Sequence, residues 1–412
     1  LDRADPNVDH DLLGDHAIDR DFLKQEKIRM RVLLWGTYDT GKPRIRILCA
    51  GMLAVGIDLE EIHSSVWEGV EDKSQVKKMS FRLRLLARWL LAYPRLIWRL
   101  ARAPKPDLLL IGYPGILDAF VATFVGRLRR IPVAWDVFIS LYDTIIEDRK
   151  LLRPDSLWAL CLRSLEGRAL RRVDLAFMDT RAHARRIESL FDLPVESCGA
   201  VWVGAETAQF TANDEISPRA ENASLKVLFY GQFIPLHGIS TIIEAARILK
   251  NAPIEWTLIG RGQEADSIRA MLDSVRLQKV RWIDWVDYDK LQNWIAEADL
   301  CLGIFGKSEK AANVIPNKVF QIVAMGRPLI TRDSPAIREL LQPRRGCVYL
   351  VPEGDPEALA QAVNEHFHAA DWRRAISCHD EAIDAIDEKA IGTQFLDLAQ
   401  QWPLKSGAPR ND

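Results

Sequence analysis

The residue types best suited to chemistry lie between Asp299 and Thr331. Leu300 to Ile304 is a short apolar run that reads as a buried strand. Gly303 and Gly306 flank a polar loop carrying Lys307 and Lys310. Pro316 suits the first turn of a helix, where its missing N–H costs nothing. Val319, Phe320, Ile322, Val323 and Met325 continue that helix, Gly326 stops it, and Arg327–Thr331 is the next strand. In this arrangement the free N–H groups of Val319 and Phe320 face the loop, with Lys318 beside them. Free amides plus a cation form an anion site, and phosphate is its usual occupant. An ordinary parallel-sheet crossover with a proline start fits the same residues.

Other glycine loops on the same side of the chain repeat the pattern. Strand Val227–Tyr230 runs into Gly231-Gln232, and the loop closes at His237-Gly238 before a helix from Ile239 to Lys250. Strand Ile254–Ile259 ends at Gly260-Arg261-Gly262, and a strand from Val280 to Val286 carries Trp285 near its end. Asp287 or Asp289 is expected to cap the helix that reaches Glu297. Helices at 335–341 and 356–369 and a strand at 347–351 complete this half.

The first half is built the same way. Met30–Trp35 is a strand that enters Gly36-Thr37-Tyr38-Asp39-Thr40-Gly41, and a helix from Arg44 to Val55 follows. Ligands gather at the carboxyl ends of such strands. The loop is not G-x-G-x-x-G, so dinucleotide binding lacks support. Strands at 58–63, 107–113, 133–139, 174–179 and 197–203 alternate with helices, which argues for a parallel sheet covered on both faces. Asp136 ends one strand and Asp143 follows soon after, where it serves as a functional carboxylate or as a helix cap.

Length and composition bound what these loops can belong to. A chain of 412 residues exceeds one compact core, so two domains are expected. The polar, aperiodic stretch Ala205–Ala223 reads as the joint. The divisions are an N-terminal extension over 1–27, a first domain over 28–210, a linker over 211–223 and a second domain over 224–380. Over 381–412 a helix returns to the first domain and ends in a frayed tail from Pro403. A net charge of −2 makes no general case for nucleic acid. The six cysteines are scattered without C-x-x-C spacing and read as free thiols of a reducing compartment. The acidic opening residues do not read as a secretory leader, and no uncharged apolar run is long enough to span a bilayer.

Residues 77–102 stand apart. Lys77, Arg84, Arg88, Arg95, Arg99 and Arg102 are spaced 7, 4, 7, 4 and 3 apart. At about 100° per residue they share one helical face roughly 60° wide. Trp89 and Trp98 sit among leucines beside them, and Pro94 is expected to kink or divide the helix. No acidic residue lies between Lys73 and Asp107. A basic stripe of this kind suits the surface of an anionic bilayer. A sheet-packing helix with an arginine face fits as well.

The runs V-L-F-Y-G-Q-F-I-P-L-H-G-I, T-L-I-G-R-G and I-P-N-K-V-F-Q-I-V-A-M-G-R-P-L-I resemble the donor half of family-four glycosyltransferases, glycosyl transferase group 1. The resemblance covers roughly Met30 to Ala370 and is most specific in the second half. It implies the GT-B fold: α/β, two tandem Rossmann-like doubly wound parallel-sheet domains facing across a cleft. The second domain would hold a nucleotide-diphosphate sugar and the first the acceptor, with retention at the anomeric carbon and with neither metal nor cofactor. Donor contacts would come from Gly231, Gln232, Gly238, Arg261, Trp285, Val286, Asn313, Pro316, Asn317, Lys318 and Gln321. Catalytic roles fall to Asp136, Asp143, His237 and Lys318, and Gly36–Gly41 forms the acceptor-side loop.

This sequence departs from the family pattern at several of these positions. Asn313 and Gln321 stand where the family has two glutamates, and Gln232 and His237 stand where it has an arginine and a lysine. Asp287-Tyr288-Asp289 has the form of a metal-binding triplet found in another glycosyltransferase fold, but it precedes a helix and reads as a cap. The implied activity is hexosyl transfer to a lipid-linked or envelope glycan at the inner face of the cytoplasmic membrane. A GT-B nucleotide-sugar epimerase and a non-catalytic sugar-nucleotide binder are the alternatives.

Overall fold

The computed structural model describes residues 30–66, 79–212, 219–220, 222–275, 277–369, 372–373 and 377–405. The expected extension over 1–27, Lys77, and parts of the expected linker and tail lie outside the described residues.

The first sheet contains β1 (Arg31–Gly36), β2 (Asp58–His63), β3 (Leu108–Ile111), β4 (Val133–Phe138), β5 (Leu175–Met178) and β6 (Cys198–Ala200), in the order β2-β1-β3-β4-β5-β6. The second contains β7 (Leu225–Tyr230), β8 (Ile254–Ile259), β9 (Val280–Ile283), β10 (Leu300–Leu302), β11 (Leu329–Arg332) and β12 (Val348–Val351), in the order β12-β11-β10-β7-β8-β9. All neighbouring strands within both sheets are parallel. Central strands such as LLLI of β3 and VAWDVF of β4 are buried at every position, as a sheet covered on both faces requires.

Helices α1 (Pro43–Ala54), α2 (Met79–Arg102), α3 (Ile116–Arg129), α4 (Leu157–Arg172) and α5 (Arg181–Leu190) belong to the first half. In the second half are α6 (Ile239–Ile248), α7 (Ala265–Val275), α8 (Leu291–Glu297), α9 (Glu309–Asn313), α10 (Asn317–Ala324), α11 (Ile337–Leu340) and α12 (Pro356–His368). The chain closes with α13 (Asp380–Ile383) and α14 (Glu388–Lys405). Side-chain oxygens of Ser156, Thr180, Ser308 and Asp355 accept from the first-turn amides of α4, α5, α9 and α12, so the sequence itself sets those starts.

Several expectations are corrected. α2 runs unbroken through Pro94, whose position is exposed, so the proline does not divide the helix. The strand expected to reach Val286 stops at Ile283. α14 continues through Pro403 to Lys405. Asp287 binds Lys290 at 2.9 Å and makes no side-chain cap to a backbone amide. Cys347 and Cys378, expected as free thiols, form a disulfide with their Cα atoms 5.5 Å apart, and the amide of Cys378 donates to Gly326 O.

The C-terminal helix lies on the first domain. Gly51 of α1 and Gly392 of α14 meet with no room for side chains. Phe395 packs against Phe177, and Gln394 and Glu388 accept from the amides of Trp202 and Thr207. A Cβ on Gly51 would stand 2.2 Å from the carbonyl oxygen of Glu388. Gly51→Ala should therefore force the helices apart and lower stability by about 1–3 kcal/mol in urea denaturation. A loss under about 0.5 kcal/mol, the range of ordinary surface changes, would show that this crossing is loose.

Candidate active site

The loops after β7, β8 and β10 of the second sheet meet the loops after β4 and β5 of the first. The carboxyl edges of the two sheets therefore face each other.

On the second-domain side, Gly231 follows β7 at φ 140°, a conformation that favours glycine. A Cβ there would lie 3.0 Å from Lys318 Nζ and 3.1 Å from His237 Cε1, so these three residues line one cradle. Gly238 is equally constrained: its Cβ would strike the Phe305–Gly306 backbone at 2.7–2.8 Å. Lys318 is buried, with Nζ 3.6 Å from the Phe229 ring centroid and 3.4 Å from Gly303 O. Desolvation holds its pKa well below the usual lysine value. His237 is also held well below its usual value, by burial first and by the Lys318 charge second. It is thus neutral. With Nδ1 donating to Gln232 O, its Nε2 carries the lone pair and does not donate. A catalytic role for His237 as a donor to an anion therefore requires its protonation.

Other expected donor residues are placed differently from the simple picture. Pro316 precedes α10 rather than sitting inside it, and Val319 N donates to Pro316 O at 2.9 Å, so that amide is not free. Asn317 opens the helix, and its first-turn amides stand beside the cradle. Asn313 Nδ2 donates to Glu309 O, and its own carbonyl accepts from Thr180 Oγ1 of the first domain. Arg261 is stacked on exposed Trp285 at 4.7 Å, and Val286 is half-buried behind it.

Gln321 belongs to a directed chain of hydrogen bonds. Tyr230 OH donates to Gln321 Oε1 at 3.0 Å, and Gln321 Nε2 donates to Tyr288 OH at 3.1 Å. Tyr288 OH donates to Glu206 Oε2 at 2.5 Å, and Arg46 of α1 closes the chain on both oxygens of Glu206.

On the first-domain side, the Gly36–Gly41 loop is fastened rather than open. Thr37 N and Oγ1 donate to Asp118 at 2.8 and 3.0 Å, and Tyr38 OH donates to Glu61. Thr37 and Tyr38 are buried, which leaves Asp39, Thr40 and Gly41 as the part that reaches the surface. Asp136 is corrected as a catalytic candidate. Its two oxygens are held by Arg44 at 2.9 Å each, and both side chains are buried. Asp143 opens a π-helical turn over Asp143–Asp148 and is wholly buried, with Arg186 at 3.6 Å.

The seam between domains supplies residues that the sequence did not reveal. Lys310, which the sequence places in a polar loop, is buried, donates to Thr144 Oγ1 at 2.5 Å and lies in the field of Asp143, Asp148 and Asp179. Ser308 donates to Asp148 at 2.7 Å. Arg149 of the first domain donates to Gln232 at 3.2 Å, and its charge also acts on His237. Asp179 and His183 form a buried pair at 2.6 Å, one turn apart at the start of α5. An i,i+4 Asp/His spacing at the end of a strand was the available signal for that pair.

The Arg44–Asp136 pair yields a test. Arg44→Leu strands a buried carboxylate and should cost about 3–5 kcal/mol in urea denaturation, while Arg44→Leu with Asp136→Leu should recover most of it. If Asp136→Leu alone left stability unchanged, the pair would not be structural.

Residues 224–368 match the family model of glycosyl transferases group 1. No curated protein matches the chain. Among solved structures, sucrose-phosphate synthase from Thermosynechococcus elongatus superposes with TM-score 0.66 at 15% identity, covering 92% of this chain and 100% of that one. Anabaena Alr3699/HepE in complex with UDP gives 0.62 at 12% identity, covering 91% and 100%. The lipopolysaccharide outer core galactosyltransferase WaaB in its apo form gives 0.56 at 13% identity, covering 90% and 99%. At such identities the likeness is one of fold. The second domain of this GT-B fold, over residues 224–368, is thus the part of the chain that is similar to glycosyl transferases group 1.

Proposed function

We propose that the chain transfers a hexosyl group from a nucleotide-diphosphate sugar to an acceptor hydroxyl with retention of configuration. The observation that carries this reading is the cradle of Gly231, His237 and Lys318, faced from the other domain by Arg149. The named match of residues 224–368 and the UDP held by the HepE structure agree with it.

The bond from the anomeric carbon to the diphosphate oxygen breaks, and the bond to the acceptor oxygen forms on the same face. The departing diphosphate gathers negative charge, so preorganised donors aimed at it lower the barrier. Lys318, Arg149, Arg261 and the first amides of α6 and α10 supply them. The acceptor proton passes to the leaving phosphate oxygen. The protein's own cations neutralise the diphosphate, so neither a resident metal nor a cofactor is invoked. Arg149 takes the place of the family's arginine, where this chain has Gln232.

The acceptor is a lipid-linked or envelope glycan, reached by peripheral docking of α2 on the inner face of the cytoplasmic membrane. The arginine stripe of α2 motivates this, and no helix among the described residues is long and apolar enough to cross a membrane. Each arginine near an anionic surface adds about 1 kcal/mol, less as salt rises.

Lys318→Met should weaken nucleoside diphosphate binding by about 1.5–3 kcal/mol in calorimetry, and Arg149→Ala by a similar amount. Unchanged affinity in both would place the phosphates elsewhere. A bound diphosphate favours the charged forms of Lys318 and His237, which burial disfavours in the free protein, so binding takes up protons. Affinity should rise as pH falls, and calorimetry in buffers of different ionisation enthalpy should register the uptake. Nucleoside diphosphate release from a panel of nucleotide sugars, with and without acceptor, tests turnover. Binding without acceptor-dependent release would make the chain a binder instead.

A further inference from the structure

α2, α3 and α4 lie side by side on one face of the first sheet. Their buried residues, among them Leu100, Ala122 and Ala169, share a single core. Arg129 of α3 donates to Leu100 O and Ala103 O at the end of α2, and Arg172 of α4 covers Phe120 of α3 at 5.0 Å. The three helices thus form one continuous layer.

The outward side of this layer combines apolar and basic residues without acids. Leu91 and Trp98 on α2, Phe124 and Leu128 on α3, and Leu157 and Trp158 on α4 are 58–79% exposed. Six arginines lie on α2, two on α3 and four on α4. The three helices hold just two carboxylates, and both turn inward. Asp118 accepts from Thr37 and Tyr93, and Glu166 accepts from the amides of Leu141 and Tyr142. α7 and α12, by contrast, expose Asp266, Asp273, Glu357 and Glu365.

We infer that the α2–α3–α4 layer is a single docking face for an anionic bilayer, on which α3 and α4 insert apolar side chains while α2 holds lipid phosphates. This deepens the proposed docking of α2 and rests on it. Large exposed apolar area needs an occupant. A second copy of this chain would set arginines against arginines, which is repulsive. A bilayer matches both properties at once: phosphates meet the guanidinium groups, and Trp, Phe and Leu enter the headgroup boundary. Arg102 over Trp98 at 4.1 Å is the kind of pair that sits at that depth. α3 and α4 begin near the carboxyl edge of the sheet, so Leu157 and Trp158 lie on the cleft side of the layer and bring its mouth to the headgroups.

Cys161 offers a probe, since it is exposed on α4 while Cys49 and Cys198 are half-buried and Cys301 is buried. An environment-sensitive fluorophore on Cys161 should shift to the blue with phosphatidylcholine–phosphatidylglycerol vesicles and not with phosphatidylcholine alone. In flotation, wild-type protein should keep part of its binding at about 0.5 M salt, where charge attraction is screened. Phe124→Ser with Leu128→Ser, and Leu157→Ser with Trp158→Ser, should lose that salt-resistant fraction by roughly tenfold while binding at low salt. Arg88→Glu with Arg95→Glu and Arg99→Glu should lose low-salt binding itself. Nucleoside diphosphate affinity serves as the folding control for all variants. If the serine variants match wild type at high salt and the Cys161 probe does not shift, the inference is overturned while docking through α2 stands. If wild-type protein never floats with anionic vesicles, both fall, and sugar transfer is judged separately by turnover on a water-soluble acceptor.

Discussion

The burial of charge where the two sheets present their carboxyl edges governs the assembly of this molecule. Asp143, Asp148 and Asp179 come from the first domain, and Lys310 enters from the second. Removing an ion from water costs several kcal/mol unless opposite charge and hydrogen bonds compensate. Burial lowers the pKa of Lys310, and the carboxylates around it oppose that effect. Burial likewise raises Asp148, with Lys310 acting against it. For both groups burial outweighs the compensation, so the seam specifies one docking geometry without making it strongly adhesive. Thr180 to Asn313 and Glu339 to the first amides of α5 add neutral and charge-assisted bonds along the same line.

That seam also ties the donor cradle to the opposite domain. Gln232 and His237 bring no fixed charge to the loop after β7, and Lys318 is desolvated enough for its own charge to be disfavoured. Arg149 reaches this loop only because the turn after β4 is anchored by Asp148 to Ser308 and by Lys310 to Thr144. On the proposed reading, docking of the domains therefore completes the positive charge that a diphosphate needs. On that reading, the two cations that the resembled family places on one loop are here divided between two domains.

Strand–glycine–helix repeats made the two parallel sheets legible in the sequence, because both the strand periodicity and the glycine stops are local. The return of the C-terminal helix was legible from its pattern, although its contact through Gly51 and Gly392 was not. Lys310 reads as part of a polar loop and is buried, because Thr144 of the domain that covers it lies 166 residues away along the chain. Asp136 read as catalytic for the same reason: Arg44, which occupies it, lies 92 residues earlier. The Cys347–Cys378 disulfide escaped notice because its spacing matches no short motif. What the sequence did not show at Lys310, Asp136 and the two cysteines turned in each case on a partner distant along the chain.

The amide at 321 shows how a departure from pattern can be locally consistent. The chain from Tyr230 through Gln321 and Tyr288 to Glu206 runs in one direction, each group donating to the next. It ends on a carboxylate that Arg46 neutralises. A glutamine can accept from one tyrosine and donate to the other; an ionised glutamate can only accept. With glutamate at this position, the Tyr288 hydroxyl would face two carboxylates and could donate to only one, so the chain would break either at Glu206 or at residue 321. Burial and the bond to Glu206 already raise the pKa of Tyr288, so it cannot relieve the conflict by ionising. Once Glu206 and Tyr288 join the linker region to the second domain, glutamine is the residue that lets Tyr230 belong to the same chain.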